Sequence, residues 1–244
     1  MADEKPVLTI VMPVYNEKDN ITIAVDAICQ KVQAPFTIFI VYDREEDTTL
    51  PAARKLIAAG KPVSLLKNKY GKGALNAIKS GLEEAATKYV IVTMADLSDP
   101  PEVMNDLLAL AEKENAAVVC ASRYMKGGKQ LGGPVIKGLL SRLAGLSLYY
   151  LAGVPTHDAT NSFKLYRTSF LRKVTIESNG GFELGIELVT KAFSRGETIK
   201  ETPTVWRDRT AGESHFKVVE WLPHYLKWYF LAYKAKYLGW RATQ

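Results

Sequence analysis

Residues 88–102 read KYVIVTMADLSDPPE. Tyr89, Val90, Ile91, Val92, Thr93 and Met94 are β-branched, aromatic or apolar and uncharged, the composition of a strand buried on both faces. Polarity then reverses. Asp96, Ser98, Asp99 and Glu102 crowd the end, and Pro100 and Pro101 forbid the strand from continuing. Open α/β sheets bind their ligands beyond the carboxyl ends of their strands. Carboxylates there suit a hard divalent cation, and such a cation suits a phosphate. The same residues suit helix initiation, with Ser98 or Asp99 capping a helix that starts at Pro100 or Pro101. Capping leaves Asp96 unexplained, so Asp96 is the candidate for chemistry.

Working outward from this strand, the pattern repeats on both sides. Val7 to Met12 reads as a first buried strand, followed by PVYNEKDN. Asn16 or Asp19 starts a helix whose apolar face includes Ile21, Ile23, Ala24, Ala27 and Ile28. Phe36 to Tyr42 is a second strand, ending in the polar burst DREED from Asp43. Leu50 to Ala59 reads as a helix stopped by Gly60, Val63 to Leu66 as a strand, and Ala74, Leu75, Ile78 and Leu82 as one face of the next helix. A helix from about Pro101 to Asn115 and a strand at Ala116 to Ala121 follow the opening stretch. Alternating strands and helices with short links predict an α/β fold, a mostly parallel, doubly wound sheet with helices on both faces. Neither a GxGxxG fingerprint nor a Walker loop is present, so a nucleotide must be held otherwise.

The second half differs. Ser122 to Gly133 is basic and glycine-rich, a loop that brings Arg123 close to an anion. Leu139 to Val154 reads as an apolar helix, Phe163 to Tyr166 as a strand, Phe182 to Phe193 as a helix and Ile199 to Trp206 as a strand. From Val218 to Trp240, apolar residues at helical spacing and two lysines on another face predict an amphipathic C-terminal helix. His157 beside Asp158 reads as a turn pair rather than a dyad, and His224 as tail surface.

Composition bounds the function. The 244 residues are 47% hydrophobic and 24% charged, with a net charge of +6. That describes a globular chain suited to anionic ligands or an anionic membrane surface. Cys29 and Cys120 suggest buried thiols in a reducing cytosol. The polar opening predicts no signal peptide, and no run of about 18 uncharged apolar residues predicts a membrane span. The tail lacks a nucleic-acid recognition module, so no nucleic-acid partner is expected.

In a parallel sheet the polar clusters after the first, second and fourth strands share one edge. Tyr15 there suits stacking on a base, Glu17 and Asp43 suit base or ribose donors, Asp96 suits a metal–diphosphate, and Lys72 between two glycines suits phosphate. The motifs PVYNE, Asp43, GKGALNAIKSG, MADLSDPPE, SRYMKGG, DATNSFKLYR and RDRTAGES occur in the order seen in family 2 glycosyltransferases. From about residue 7 to 217 the chain resembles the polyprenol-phosphate branch of that family.

The resemblance implies a GT-A fold and inverting transfer of a hexose from a nucleotide sugar to dolichyl or polyprenyl phosphate. Mannose from GDP-mannose is the first expectation; UDP-glucose or a non-lipid acceptor is the alternative, and a non-catalytic nucleotide-sugar-binding protein the alternative of another class. It implies Pro13, Tyr15, Glu17, Asp43 and Lys72 for the nucleotide, and Arg123, Lys137, Ser141 and Arg209 for the acceptor phosphate. Asp96, Arg123 and Arg209 are the implied catalytic residues. Asp96, Ser98 and Asp99 are implied to meet a divalent metal, Mg²⁺ or Mn²⁺. Met94 occupies the place of the first motif acid, and a thioether does not replace a carboxylate on such ions. The expected organisation is a catalytic domain at 1–217 and an aromatic, basic helix at 218–244 lying in the membrane interface. That places the chain peripherally on the cytoplasmic face of a membrane, with no transmembrane helix. Base selection, lipid length and oligomeric state are not encoded in these motifs.

Overall fold

Six consecutive buried residues, Leu8–Pro13, form β1 of the computed structural model, which describes residues 5–208 and 218–242. Then come α1 (Ile21–Lys31), β2 (Phe36–Tyr42), α2 (Leu50–Ala58), β3 (Val63–Lys67), α3 (Ala74–Glu84), β4 (Tyr89–Val92), α4 (Val103–Glu114) and β5 (Val118–Ser122). The second half adds β6 (Lys129–Leu131), α5 (Val135–Ser147) running into a π-helical turn at Leu148–Ala152, and β7 (Lys164–Arg167). The chain continues through α6 (Thr168–Leu171), α7 (Leu184–Ser194), β8 (Ile199–Pro203), β9 (Val205–Arg207) and α8 (Val218–Leu238).

Seven strands form one sheet in the order β3-β2-β1-β4-β7-β5-β8, all parallel except β7. Alternation along the strands feeds two cores. Leu8, Ile10 and Met12 of β1 and Tyr89 and Ile91 of β4 join Ile21, Ile28, Ala53, Met104 and Leu107 from α1, α2 and α4. Val11, Val90 and Val92 face the other way, onto Leu75, Ile78 and Leu82 of α3, Leu188 of α7 and Trp228 of α8. These strands are uncharged and, apart from Thr9, apolar because both of their faces are covered. The predicted α/β class and doubly wound, mostly parallel sheet are the observed ones.

Local details differ from the sequence reading. α1 starts at Ile21 with Asn20 at the N-cap, and Ile23 points to solvent, 60% exposed. Asn16 instead adopts a left-handed φ of 57° and donates its N–H to the buried Asp47 carboxylate at 3.1 Å. α4 is preceded by Glu102, so neither Ser98 nor Asp99 caps it; the prolines form a tight turn in which Val103 N–H donates to the Pro100 carbonyl. Residues 199–206 are two strands rather than one. The break is at Thr204, whose N–H goes to Ser122 and whose carbonyl accepts from Lys129, carrying the chain into the small parallel β6–β9 sheet.

Two helices carry apolar residues on opposite sides. In α8, Trp228 and Ala232 are buried in the second core, while Phe230, Tyr237 and Leu238 face outward. His224 is not tail surface; its ring lies against Gly180. Val135–Ala152 exposes Val135 (84%), Ile136, Leu139, Leu143, Tyr150 and Leu151. This 18-residue helix has a mean hydropathy of 1.2 and is long and apolar enough, by length and composition, to cross a membrane. It qualifies with two charged residues inside it, so the expectation that no run of about 18 uncharged apolar residues occurs is not contradicted. Lys137 and Arg142 lie within it. The helix is nonetheless tied along the domain. Gly145 sits against the His157 carbonyl with no room for a side chain, and Ser147 Oγ lies 2.9 Å from the Tyr229 hydroxyl.

Candidate active site

β2, β1 and β4 are neighbours and run in parallel, so the segments leaving them open onto one edge. A cavity of about 510 Å³ lies there. Pro13, Tyr15 and Glu17 line it from the end of β1, Asp43 and Arg44 from the end of β2, and Lys72, Gly73, Ala74 and Ala77 from the start of α3. Met94, Ala95 and Asp96 line it beyond β4, and Phe182 from the segment before α7. All five residues assigned to the nucleotide from sequence, and Asp96, therefore border one space.

Each is held by identifiable contacts. The Tyr15 ring is 61% exposed. Its hydroxyl accepts from Arg44 Nη2 at 3.0 Å, and the guanidinium lies 5.3 Å from the ring centroid. The Glu17 N–H donates to Thr49 Oγ1 at 2.9 Å, fixing the loop after β1 onto the start of α2. Asp43 is already engaged: Oδ1 accepts from Asn68 Nδ2 at 2.7 Å and Oδ2 from the Gly73 N–H at 2.9 Å. Asp43 thereby pins residues 71–73, in which Gly71 and Gly73 take φ of 87° and 118°, values that favour glycine. Lys72 rides on this pinned turn at the amino end of α3, where unpaired N–H groups favour an anion.

Asp96 Oδ1 accepts from the Ser98 N–H at 3.0 Å, closing a local turn that sets Leu97 at a φ of 54°. Ser98 and Asp99 are buried and do not border the cavity. Burial pushes the Asp99 carboxyl up to about 7 against the pull of Arg123, with Asp96 and Asp158 adding to the rise. Its Oδ1 makes no hydrogen bond among the described residues. Among those residues no group of three or more His, Cys, Asp or Glu side chains is placed to hold a metal ion. The expected trio thus reduces to one carboxylate, Asp96, beside a thioether. These residues do not fit a metal site built by the protein.

A second cluster forms where β5 ends. Arg123 donates through Nε and Nη2 to the two Asp158 oxygens at 2.7 and 2.9 Å, and Nη2 also reaches Ser141 Oγ at 3.0 Å. Tyr124 and Thr160 complete the network at Ser141, 3.0 and 2.6 Å away. Arg123 is therefore no open surface cation: its side chain is only 11% exposed and is paired. Burial works against its charge, but the Asp158 carboxylate outweighs that and raises its pKa, while Arg123 in turn holds Asp158 below the usual carboxylate range despite burial. Asp158 had been read only as a turn residue, and it is the pair's other half. His157 makes no dyad with it. Its Nδ1 meets Glu201 Oε1 at 2.5 Å and its ring stacks on Tyr149 at 3.7 Å. Lys137 lies on α5 one turn before Ser141. Arg209 and the rest of its motif, through Ser214, lie outside the described residues. The strand leading toward them, β9, is anchored by the Arg207 N–H to the Ser98 carbonyl at 2.9 Å.

Phe182 and Arg44 border the cavity without having been singled out in the sequence. Arg44 sits in the noted DREED burst, whereas nothing local marks Phe182.

Comparison with known proteins concerns the family and the fold. The profile of the family described as Glycosyl transferase family 2 matches residues 9–175. The chain is 28% identical over 230 residues to the dolichol-phosphate mannosyltransferase of Pyrococcus furiosus, covering 91% of this chain. It spans 64% of that protein's length. It is also 28% identical over 233 residues to the polyprenol monophosphomannose synthase of Mycolicibacterium smegmatis, covering 87% of this chain and 85% of the relative. In three dimensions it resembles glucosyl-3-phosphoglycerate synthase from Mycobacterium tuberculosis, solved with Mn²⁺, UDP and phosphoglyceric acid. The TM-score is 0.67 at 16% identity, over 95% of this chain and 78% of that one. At that identity the likeness concerns the fold.

Proposed function

The chain belongs to glycosyl transferase family 2, and from that premise we propose that it transfers a hexose from a nucleotide sugar to a polyprenyl phosphate. One observation carries the reading. Six residues assigned from separate motifs, Pro13 to Asp96, border a single cavity, and a half-buried Arg123–Ser141 cluster lies at the same sheet edge beneath an apolar helix.

The chemistry needs little from the protein beyond placement. A phosphate monoester oxygen is anionic near neutral pH and attacks the anomeric carbon directly. The bond from that carbon to the nucleoside diphosphate breaks with its electron pair leaving on the diphosphate, and the configuration inverts. Tyr15 and Arg44 offer a face for the base, and the turn pinned by Asp43 offers Lys72 and the α3 amino end to the diphosphate. Arg123, Ser141, Lys137 and Arg209 are the groups proposed to orient the acceptor phosphate in line with the sugar. A divalent ion travelling with the donor would meet Asp96 alone, and no step here depends on it.

The lipid follows from α5. Ser141 turns inward to Arg123, while Leu139, Leu140 and Leu143 are exposed. A lipid phosphate seated at Ser141 has its apolar chain against that outer face, with the domain resting peripherally on a membrane surface. By its closeness to the mannosyltransferase relatives we take GDP-mannose as the donor. The test is incubation with labelled GDP-mannose or UDP-glucose, polyprenyl phosphate, and Mg²⁺, Mn²⁺ or chelator, followed by organic extraction. Label entering the organic phase from GDP-mannose is expected. Label from UDP-glucose alone corrects the donor, and none from either overturns the reading.

A further inference from the structure

Phe182 is 88 residues from Met94 in sequence, yet both border the same cavity. Both also pack against the same core, the one on the α3 and α7 face of the sheet. Met94 is two residues past Val92 and continues its side of the strand. The position where the resemblance puts a first metal acid is therefore apolar, and an aromatic ring borders the same cavity.

What that edge meets follows from strand order. The exposed Tyr15 ring with Arg44 stands at the ends of β1 and β2, and the Arg123 cluster at the end of β5, with β4 and β7 between. A nucleotide sugar with its base at Tyr15 and its reacting carbon toward the acceptor cluster lays its sugar over the end of β4. A pyranose ring has one face of C–H groups, and an aromatic ring flanked by apolar atoms is the surface that such a face covers.

The placement of Phe182 is also built. Glu183 is fully buried, and its carboxylate accepts the consecutive N–H groups of Asn179, Gly180 and Gly181 at 3.0, 2.7 and 2.5 Å. Glu187, one turn on and equally buried, accepts those of Glu177 and Ser178 at 2.6 and 2.8 Å, its charge matched by Lys191 at 2.7 Å. Charge-assisted bonds of this kind are the strong ones. Outside the loop, α8 closes the space. A Cβ on Gly180 would come within 2.7 Å of the His224 ring, and Lys227 pairs with Glu177 at 3.0 Å.

We propose that Phe182, with Met94, forms an apolar platform for the C–H face of the donor's hexose, and that Glu183 is the positioning residue that holds Phe182 in the cavity. This rests on the donor reading above. The test compares binding of GDP and UDP with binding of GDP-mannose and UDP-glucose by calorimetry, without acceptor. Phe182→Ala weakens the nucleotide sugar about fivefold to tenfold and leaves the parent diphosphate unchanged, while Phe182→Tyr restores sugar affinity. Glu183→Gln lowers the same ratio by a smaller factor. The ratio of the two affinities is read on the folded fraction, so a stability loss alone does not move it. Equal weakening of both ligands, or an unchanged ratio in Phe182→Ala, overturns the proposal while leaving the donor reading intact. Failure of the wild-type chain to bind any of the four removes both.

Discussion

The donor side and the acceptor side of this edge are held by different physics. Around the cavity, polar groups are exposed or half-buried and sit on turns that parallel strands deliver side by side. Around Arg123 a charge pair is drawn inward, with the Asp158 side chain fully buried and that of Arg123 11% exposed, and the groups come from β5, α5 and the loop entering β7, elements separated in sequence by up to 37 residues. The first arrangement tolerates loss of a side chain with little change in fold. The second does not, because removing one partner leaves an uncompensated charge in the interior.

That contrast is open to attack. Asp158→Ala should cost about 3–5 kcal/mol of unfolding free energy in urea melts, since it strands the Arg123 charge. Arg123→Lys should cost less. A pairing of Arg123→Met with Asp158→Leu should recover most of the stability and none of the transfer. A single-mutant cost no greater than that of Tyr15→Ala would erase the distinction.

Asp99 sits where the two sides meet, and it has a pH signature. Its pKa in the fold, about 7, stands above the ordinary 3.8, so the native state binds a proton that the unfolded state has released. Stability from this group is complete below about pH 4 and declines until about pH 7, by a few kcal/mol at most. Melts of Asp99→Asn against wild type, in chelator, should show the wild type alone losing ground across that window.

On the donor side the effect should appear in turnover rather than stability. Asp96→Ala, which removes the carboxylate that would meet a donor-borne ion, should cut Mg²⁺- or Mn²⁺-supported transfer by about 100-fold or more with an unfolding midpoint close to wild type. Leu139→Ser with Leu143→Ser should reduce vesicle partitioning about tenfold, given the apolar area withdrawn, without touching donor affinity. Flotation unchanged by that pair would detach α5 from the lipid.

The same contrast decides how much was legible beforehand. β1, β2 and β4 are uncharged runs that end abruptly in polar residues, and strand–helix alternation alone fixes them as parallel. Three distant motifs could therefore be placed on one edge from sequence. Of the trio read for a metal, Asp96 alone borders the cavity, because a carboxylate's direction depends on the turn it belongs to. Asp96 faces the cavity, whereas Ser98 and Asp99 turn into the body of the domain. On the acceptor side, Arg123 was visible as a cation in a glycine-rich loop, but its partner was not, since adjacency to His157 says nothing about a contact across 35 residues. Phe182 was hidden for the same reason, its setting being made by α7 and α8. The break in residues 199–206 carries no local signal beyond Pro203.

One consequence belongs to β7. Running against its neighbours, it brings an incoming segment, the one bearing Asp158, to the rim where β4 and β5 send theirs out. Lys164 lies opposite both Val92 and Cys120, so the two ladders together gauge how far that segment reaches. A slip of one residue would displace it by roughly 3.3 Å, farther than a hydrogen bond stretches. The depth at which the guanidinium is seated is thus metered by backbone pairing several residues away, and no surface substitution can readjust it.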